Sequence, residues 1–274
     1  METNETTPKK NIALINADLP PSVDNAVKNL TDEPTKSVGK TFSDVWYLVF
    51  GGISYAADKR RMKYAHKLEQ YHEELESAIN TIPEEKRIEP DIQVTAQALE
   101  NSKYCVESDE LRSMFVNLIA KSMNADYKAT VHPSFAEIIK QMSPDDARVL
   151  RTIEPHENIP LVDYILENPN KSSYSSVLTN AYLSRLPDLD IHQNCAAISS
   201  LVRLGLLQIY TDSQIVNKQA YQPFKETSFF KELTSETKRF YSDKKASTHE
   251  YLGRLTVLGE NFVSVCVQQP ASLY

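Results

Sequence analysis

Few side chains in this 274-residue chain stand at spacings that suit chemistry. Arg61 and His66 are the best placed: an imidazole can take a proton from a ribose hydroxyl while a nearby guanidinium offsets phosphate charge, and RNA cleavage needs both. Arg151 with His156 and Arg185 with His192 meet the same loose pattern. With 10 arginines and 6 histidines present, chance alone produces such pairs. The alternative for Arg61 and His66 is a solvated helix face. Glu69-x-x-His72 has the spacing of a carboxylate-bridged metal motif, but such sites take a second copy from another helix and the sequence holds none. A glycine-rich phosphate loop, a GxSxG elbow and an HExxH helix are also missing, so no cofactor or metal is expected. Cys105, Cys195 and Cys266 are too few and too scattered for a disulfide framework or a zinc site; they read as small buried residues of a reducing compartment.

Binding chemistry is better represented. Residues 45–57, VWYLVFGGISYAA, are apolar almost throughout and hold the only tryptophan. At about 20 Å as a helix they are too short to cross a bilayer of roughly 30 Å. Trp46, Tyr47, Phe50 and Ile53, followed by the cations Lys59 and Arg60, suit an interaction surface or a peripheral membrane contact. Burial against the rest of the chain or a second subunit is the favoured alternative. A second cluster, Lys238, Arg239, Lys244 and Lys245 beside Phe240 and Tyr241, is a candidate partner or nucleic-acid contact. The net charge of −7 leaves neither half basic. Bulk nucleic-acid affinity rests on phosphate neutralisation, so nucleic acid is a disfavoured partner.

The elements that must position these residues are mostly helical. Residues 1–40 read as a polar tail and linker without a signal-peptide core. Residues 41–142 read as a helical bundle. Its long helix repeats Tyr64, Leu68, Tyr71, Leu75 and Ile79 at threes and fours, a narrow seam suited to helix pairing and self-association. Pro90 opens a helix with Ile92, Ala96, Leu99 and Tyr104 expected inward. Ser108 caps the clearest amphipathic helix, with Leu111, Met114, Phe115, Leu118 and Ile119 on its buried face. Pro133 and Pro144 mark two helix starts, with His132 as a helix-start residue; the elbow between them, Met142 to Pro144, is taken as a domain joint.

Residues 143–274 read as an α+β module resembling a winged helix. Helices are expected near 160–166 and 173–183, then a helix capped by Asp190 and Gln193 and ended by Gly205. A strand over 206–210, a helix around 224–233, a strand over 251–255 and a last helix capped by Thr256 complete it. The fold class expected is therefore mainly α, a helical bundle followed by a winged-helix-like α+β domain. Its groove-facing helix offers only His192, Gln193, Asn194 and Arg203, which is little for DNA.

The run His132-Pro133-Ser134-Phe135, followed by Ile138-Ile139-Lys140-Gln141 and Ser143-Pro144-Asp145-Asp146-Ala147, resembles the abortive-infection alpha family of bacteria. Leu111-Arg112-Ser113-Met114-Phe115 upstream and Leu255-Thr256-x-x-Gly259 downstream extend the resemblance. It implies resistance to phage and supplies no catalytic motif. In that context the Arg61 and His66 spacing is similar to that of the HEPN ribonucleases, although Met62 stands where those enzymes usually carry a polar residue. The expectation is a cytoplasmic protein, peripheral membrane contact being the second location, that acts by binding and not as an enzyme. It is expected to form a homo-oligomer through its helices and to answer to a phage or host protein; a HEPN-like ribonuclease is the runner-up.

Overall fold

The computed structural model describes residues 42, 45–47, 49–50, 59–168, 170, 173–241 and 243–267, with backbone alone for 59–62. Expectations for residues 1–41 and 51–58, Ile53 included, lie outside the described residues. Helix α1 (Lys59–Asn80) carries the seam: Leu68, Tyr71, Leu75 and Ile79 are buried and Tyr64 is half-buried. The stripe is hidden within the chain, against α3 (Asp109–Ser122).

Helix α2 (Ile92–Ser102) starts where Asp91 accepts from the Gln93 and Val94 backbone N–H groups. Its buried face differs from the expected one. Leu99 is inside, but Ile92 is 62% and Tyr104 81% exposed, and the face centres on Thr95, Ala98 and Ser102. Small side chains let neighbouring helices approach closely, so a search for large apolar residues finds only the edge of this face. Helix α3 is capped as expected, the Ser108 hydroxyl accepting from Leu111 N–H.

Helices α4 (Phe135–Gln141) and α5 (Pro144–Leu150) flank the elbow. Pro144 opens α5 behind a reciprocal cap: Ser143 Oγ accepts from Asp146 N–H at 3.1 Å, and the Asp146 carboxylate accepts from Ser143 N–H at 2.9 Å. Pro133 is not a first-turn residue of α4. His132, Pro133 and Ser134 form a turn closed by Phe135 N–H on His132 O at 3.0 Å, and proline's fixed φ suits its second position. The imidazole Nδ1 of His132 accepts from Ser134 N–H at 3.1 Å, so this histidine organises the turn before the helix.

The remaining chain builds a four-stranded antiparallel sheet in the order β2-β1-β4-β3. It comprises β1 (Ile159–Glu167), β2 (Tyr174–Ala181), α6 (Ile191–Arg203), β3 (Leu207–Tyr210), α7 (Gln222–Glu226), α8 (Ser228–Phe240), β4 (Lys245–Leu255) and α9 (Val257–Phe262). A single π turn, Val263–Val267, follows. The fold is thus α+β and not purely α, helices predominating and the sheet lying in the second half. The helices expected near 160–166 and 173–183 are β1 and β2, a hairpin. Leu161, Val162, Tyr164 and Ile165 are buried on both faces of β1, and a short apolar run buried all round carries no period that separates strand from helix. Strands β3 and β4, the Asp190 and Gln193 capping box, and Gly205 at φ 74° all lie where expected.

One hydrophobic cluster runs from Phe42 to Cys266 and crosses the Met142 to Pro144 elbow without a break. Phe135 meets Phe262 edge-on at 5.2 Å between ring centroids. Helix α3 is central to it: Asn117 donates to Cys266 O at 2.9 Å and Lys121 Nζ to Ser264 O at 2.7 Å, tying the π turn to the bundle. A smaller cluster, including Tyr164, Tyr221 and Phe224, lies under α7 and α8, where Tyr164 donates to Phe224 O at 2.9 Å.

Candidate functional site

Aromatic side chains need cover from water, and those before α1 find it on α1 itself. Phe42, Trp46 and Phe50 are helical and buried, at 3%, 5% and 3% exposure. The Trp46 ring lies 4.5 Å from Phe50, 5.7 Å from Tyr71 and 4.7 Å, edge-on, from His72. Burial holds the His72 imidazole below its ordinary pKa and pushes the Tyr71 phenol up. Trp46 and Phe50, expected as an interaction or membrane surface, are therefore inside this chain's own core, and Tyr47 is half-buried. The rings of Tyr71 and His72 supply the cover, which is the burial against the rest of the chain favoured from the sequence. Lys59, Arg60 and Arg61 begin α1, their side chains outside the described residues. His66 is exposed and makes no hydrogen bond among the described residues. The Glu69 and His72 spacing gathers no metal site: among the described residues no three His, Cys, Asp or Glu side chains converge.

A buried ion pair beside this cluster was not foreseen from sequence. Arg112 is 3% exposed, on the inner face of α3. Its Nε and Nη2 each donate to the Glu74 carboxylate at 2.9 Å, and Nη1 donates to Asp109 at 2.7 Å and Val106 O at 3.0 Å. Lys67 first, and then Arg112, hold the Asp109 carboxyl below its usual range. A guanidinium spent on these acceptors is a strut between α1 and α3 and has little left for an anion. It stands at the head of a groove of about 990 Å³ with Glu73, Glu110 and Arg151 on its rim; Arg151 donates to Ser113 Oγ at 2.8 Å. The signal that could have found it is an arginine set between Leu111 and Met114 on the apolar face of an amphipathic helix.

The second cation cluster lies at one end of the sheet. Lys238 and Arg239 are exposed on the last turn of α8, Lys245 is exposed at the first position of β4, and Lys244 is half-buried in the connection. Phe240 and Tyr241 are 63% and 48% exposed. The Arg239 guanidinium stands 5.0 Å over the Phe240 ring, and Lys244 Nζ 5.7 Å over Tyr241.

His132 and Pro133 are exposed, Ser134 half-buried, and Phe135 fully buried against Phe262. Val131 and Pro133 border a second cavity of about 440 Å³ with Asp91 and Lys128. The three thiols are buried and free; burial pushes Cys195 up to about 12 and Cys266 well above the ordinary value. Groups held this way are inert as nucleophiles.

No described helix is long and apolar enough to cross a membrane. A family model for abortive infection alpha matches residues 63–266. No curated protein and no solved structure shows a significant similarity to the chain.

Proposed function

Because the chain belongs to the abortive infection alpha family, whose name ties it to phage defence, we propose that it protects by binding and not by catalysis. The working part is the aromatic segment around Trp46. The observation that carries this reading is the packing of Trp46 on Tyr71 and His72 of α1 and of Phe50 on Tyr71, with Phe42 against Trp46. A surface of this kind is stable only while covered, so a competing partner shifts the equilibrium by as much as it prefers the uncovered form.

A phage or host protein that displaces the segment bares the rings of Tyr71 and His72 on α1, and the bared patch then pairs with the same patch of a second copy. This is the homo-oligomer through helices. The finer resemblance to a winged helix narrows to β1, β4 and β3 with α6 leading into β3, read as a partner-binding module of a cytoplasmic protein. In α6, Asn194 is buried and Arg203 donates to Gln141 at 3.0 Å, which leaves little for a DNA groove.

An infection assay on the gene alone tests the reading, with phage plating, RNA integrity and membrane potential followed together. His66→Ala is expected to protect as well as wild type, with RNA intact. Loss of protection together with loss of RNA cleavage in His66→Ala would replace binding with a ribonuclease built on Arg61 and His66.

A further inference from the structure

We infer that the end of the sheet at the α8 to β4 connection is a contact site for an anionic lipid surface. Four cations, Lys238, Arg239, Lys244 and Lys245, gather there on a protein of net charge −7, and no ion pair among the described residues neutralises any of them. Asp243 is the single acid within that stretch, and Glu167 faces Lys245 across the β1 and β4 ladder. The helix dipole accounts for Lys238 and Arg239 at the carboxy end of α8. It does not account for Lys244 and Lys245, nor for two large aromatic rings held in solvent beside them.

The side-chain arrangement gives the occupant. Phe240 at 63% and Tyr241 at 48% exposure project from the connection, each with a cation folded over its ring. On the neighbouring hairpin Tyr174 is 52% exposed, but its ring stacks on His249 at 5.8 Å, away from Lys245 along β4, so it belongs to the sheet face and not to this end. Aromatic rings flanked by lysine and arginine suit the headgroup layer, where the ring enters the acyl boundary and the cation stays with phosphate. Single-stranded nucleic acid would call for rings laid out along a cationic groove that tracks the backbone. Both cavities described above are lined by other residues, and Phe240 and Tyr241 are exposed outside them.

The site goes beyond the reading given under Proposed function and does not depend on release of the Trp46 segment. Flotation of the purified full chain with vesicles tests it. Binding to phosphatidylcholine vesicles containing phosphatidylglycerol is expected, with little to phosphatidylcholine alone, and it should weaken as salt rises. Lys244→Gln with Lys245→Gln should lower the partition coefficient by about fivefold for each cation removed. Phe240→Ser with Tyr241→Ser should remove the part of binding that survives high salt. Phe240, Tyr241 and Lys245 are exposed and Lys244 is half-buried, so the melting temperature is expected to hold in both double variants.

The inference is overturned if the wild type shows no preference for phosphatidylglycerol, or if both double variants bind like it. It is equally overturned if the same residues bind a single-stranded oligonucleotide and leave vesicles untouched. Failure of flotation with normal His66→Ala protection would remove the lipid site and leave the binding reading standing.

Discussion

His72 places one proton where it matters. Its ring meets Trp46 edge-on at 4.7 Å, and burial lowers its pKa from the model-peptide 6.5. A base whose folded pKa is depressed favours the packed form above about pH 6.5 and loses that contribution as pH falls through the lowered value, because the uncovered state binds the proton more readily. Trp46 is the only tryptophan, so its fluorescence reports this contact alone. Acidification below pH 6.5 is expected to shift its emission to the red while far-ultraviolet circular dichroism holds, and His72→Phe is expected to remove that step. An emission unchanged down to the pH of global unfolding would show that His72 does not govern the packing. Lys121 illustrates the same cost for a cation: burial pulls it down to about 8, and it is kept by its bond to Ser264 O and by the Tyr127 ring at 4.9 Å.

Among the elements, the corner where β4 enters α9 is the least tolerant of change. Thr256 Oγ1 accepts from Gly259 N–H at 2.9 Å and donates to Gly205 O at 2.6 Å, so it joins the end of α6 to the start of α9. A Cβ on Gly259 would stand 2.0 Å from the Leu206 carbonyl oxygen, and backbone must move to admit it. Overpacking of this kind costs about 2–3 kcal/mol, more than the roughly 1 kcal/mol that alanine gains over glycine in a helix. Gly259→Ala is therefore expected to lower the melting temperature by about 5 °C in a thermal scan. An unchanged melting temperature would show that the corner can open. The Leu255-Thr256-x-x-Gly259 run was legible as a motif, and its cause, backbone touching backbone, was not.

The same limit explains which elements could be read. Caps are local chemistry, so Ser108, Asp190 and Thr256 were all found in place. The α1 seam was legible because four large side chains repeat on one face. Strand β1 was not, because both its faces are buried and its pattern is continuous. The inner face of α2 was missed because Thr95, Ala98 and Ser102 mark it by being small. Of the candidate sites, the cation cluster was visible as composition; the pairing of Trp46 with His72, 26 positions away in sequence, depends on tertiary contact that no local pattern announces.

Seen whole, the molecule has one dominant core on either side of the elbow, with α3 packed against α1, α2, α4, α5 and the π turn. Elements that share a core unfold together. Calorimetry on the full chain is expected to give a single transition whose calorimetric and van't Hoff enthalpies agree, and two separated transitions would instead support independent folding of 41–142 and 143–274. Phe42, Trp46 and Phe50 belong to that core, so the proposed uncovering is a local opening at its edge, which costs less than unfolding the whole. Under the reading proposed above, the cover is lost without loss of the fold.

Growth of uninfected cells carrying Trp46→Ala tests this most directly, beside cells carrying wild type and the merely destabilised Gly259→Ala. If the covered aromatic segment restrains the protein, Trp46→Ala arrests growth without phage, while Gly259→Ala does not. Normal growth of Trp46→Ala cells, with phage plating reduced as fully as in wild type, would contradict the account.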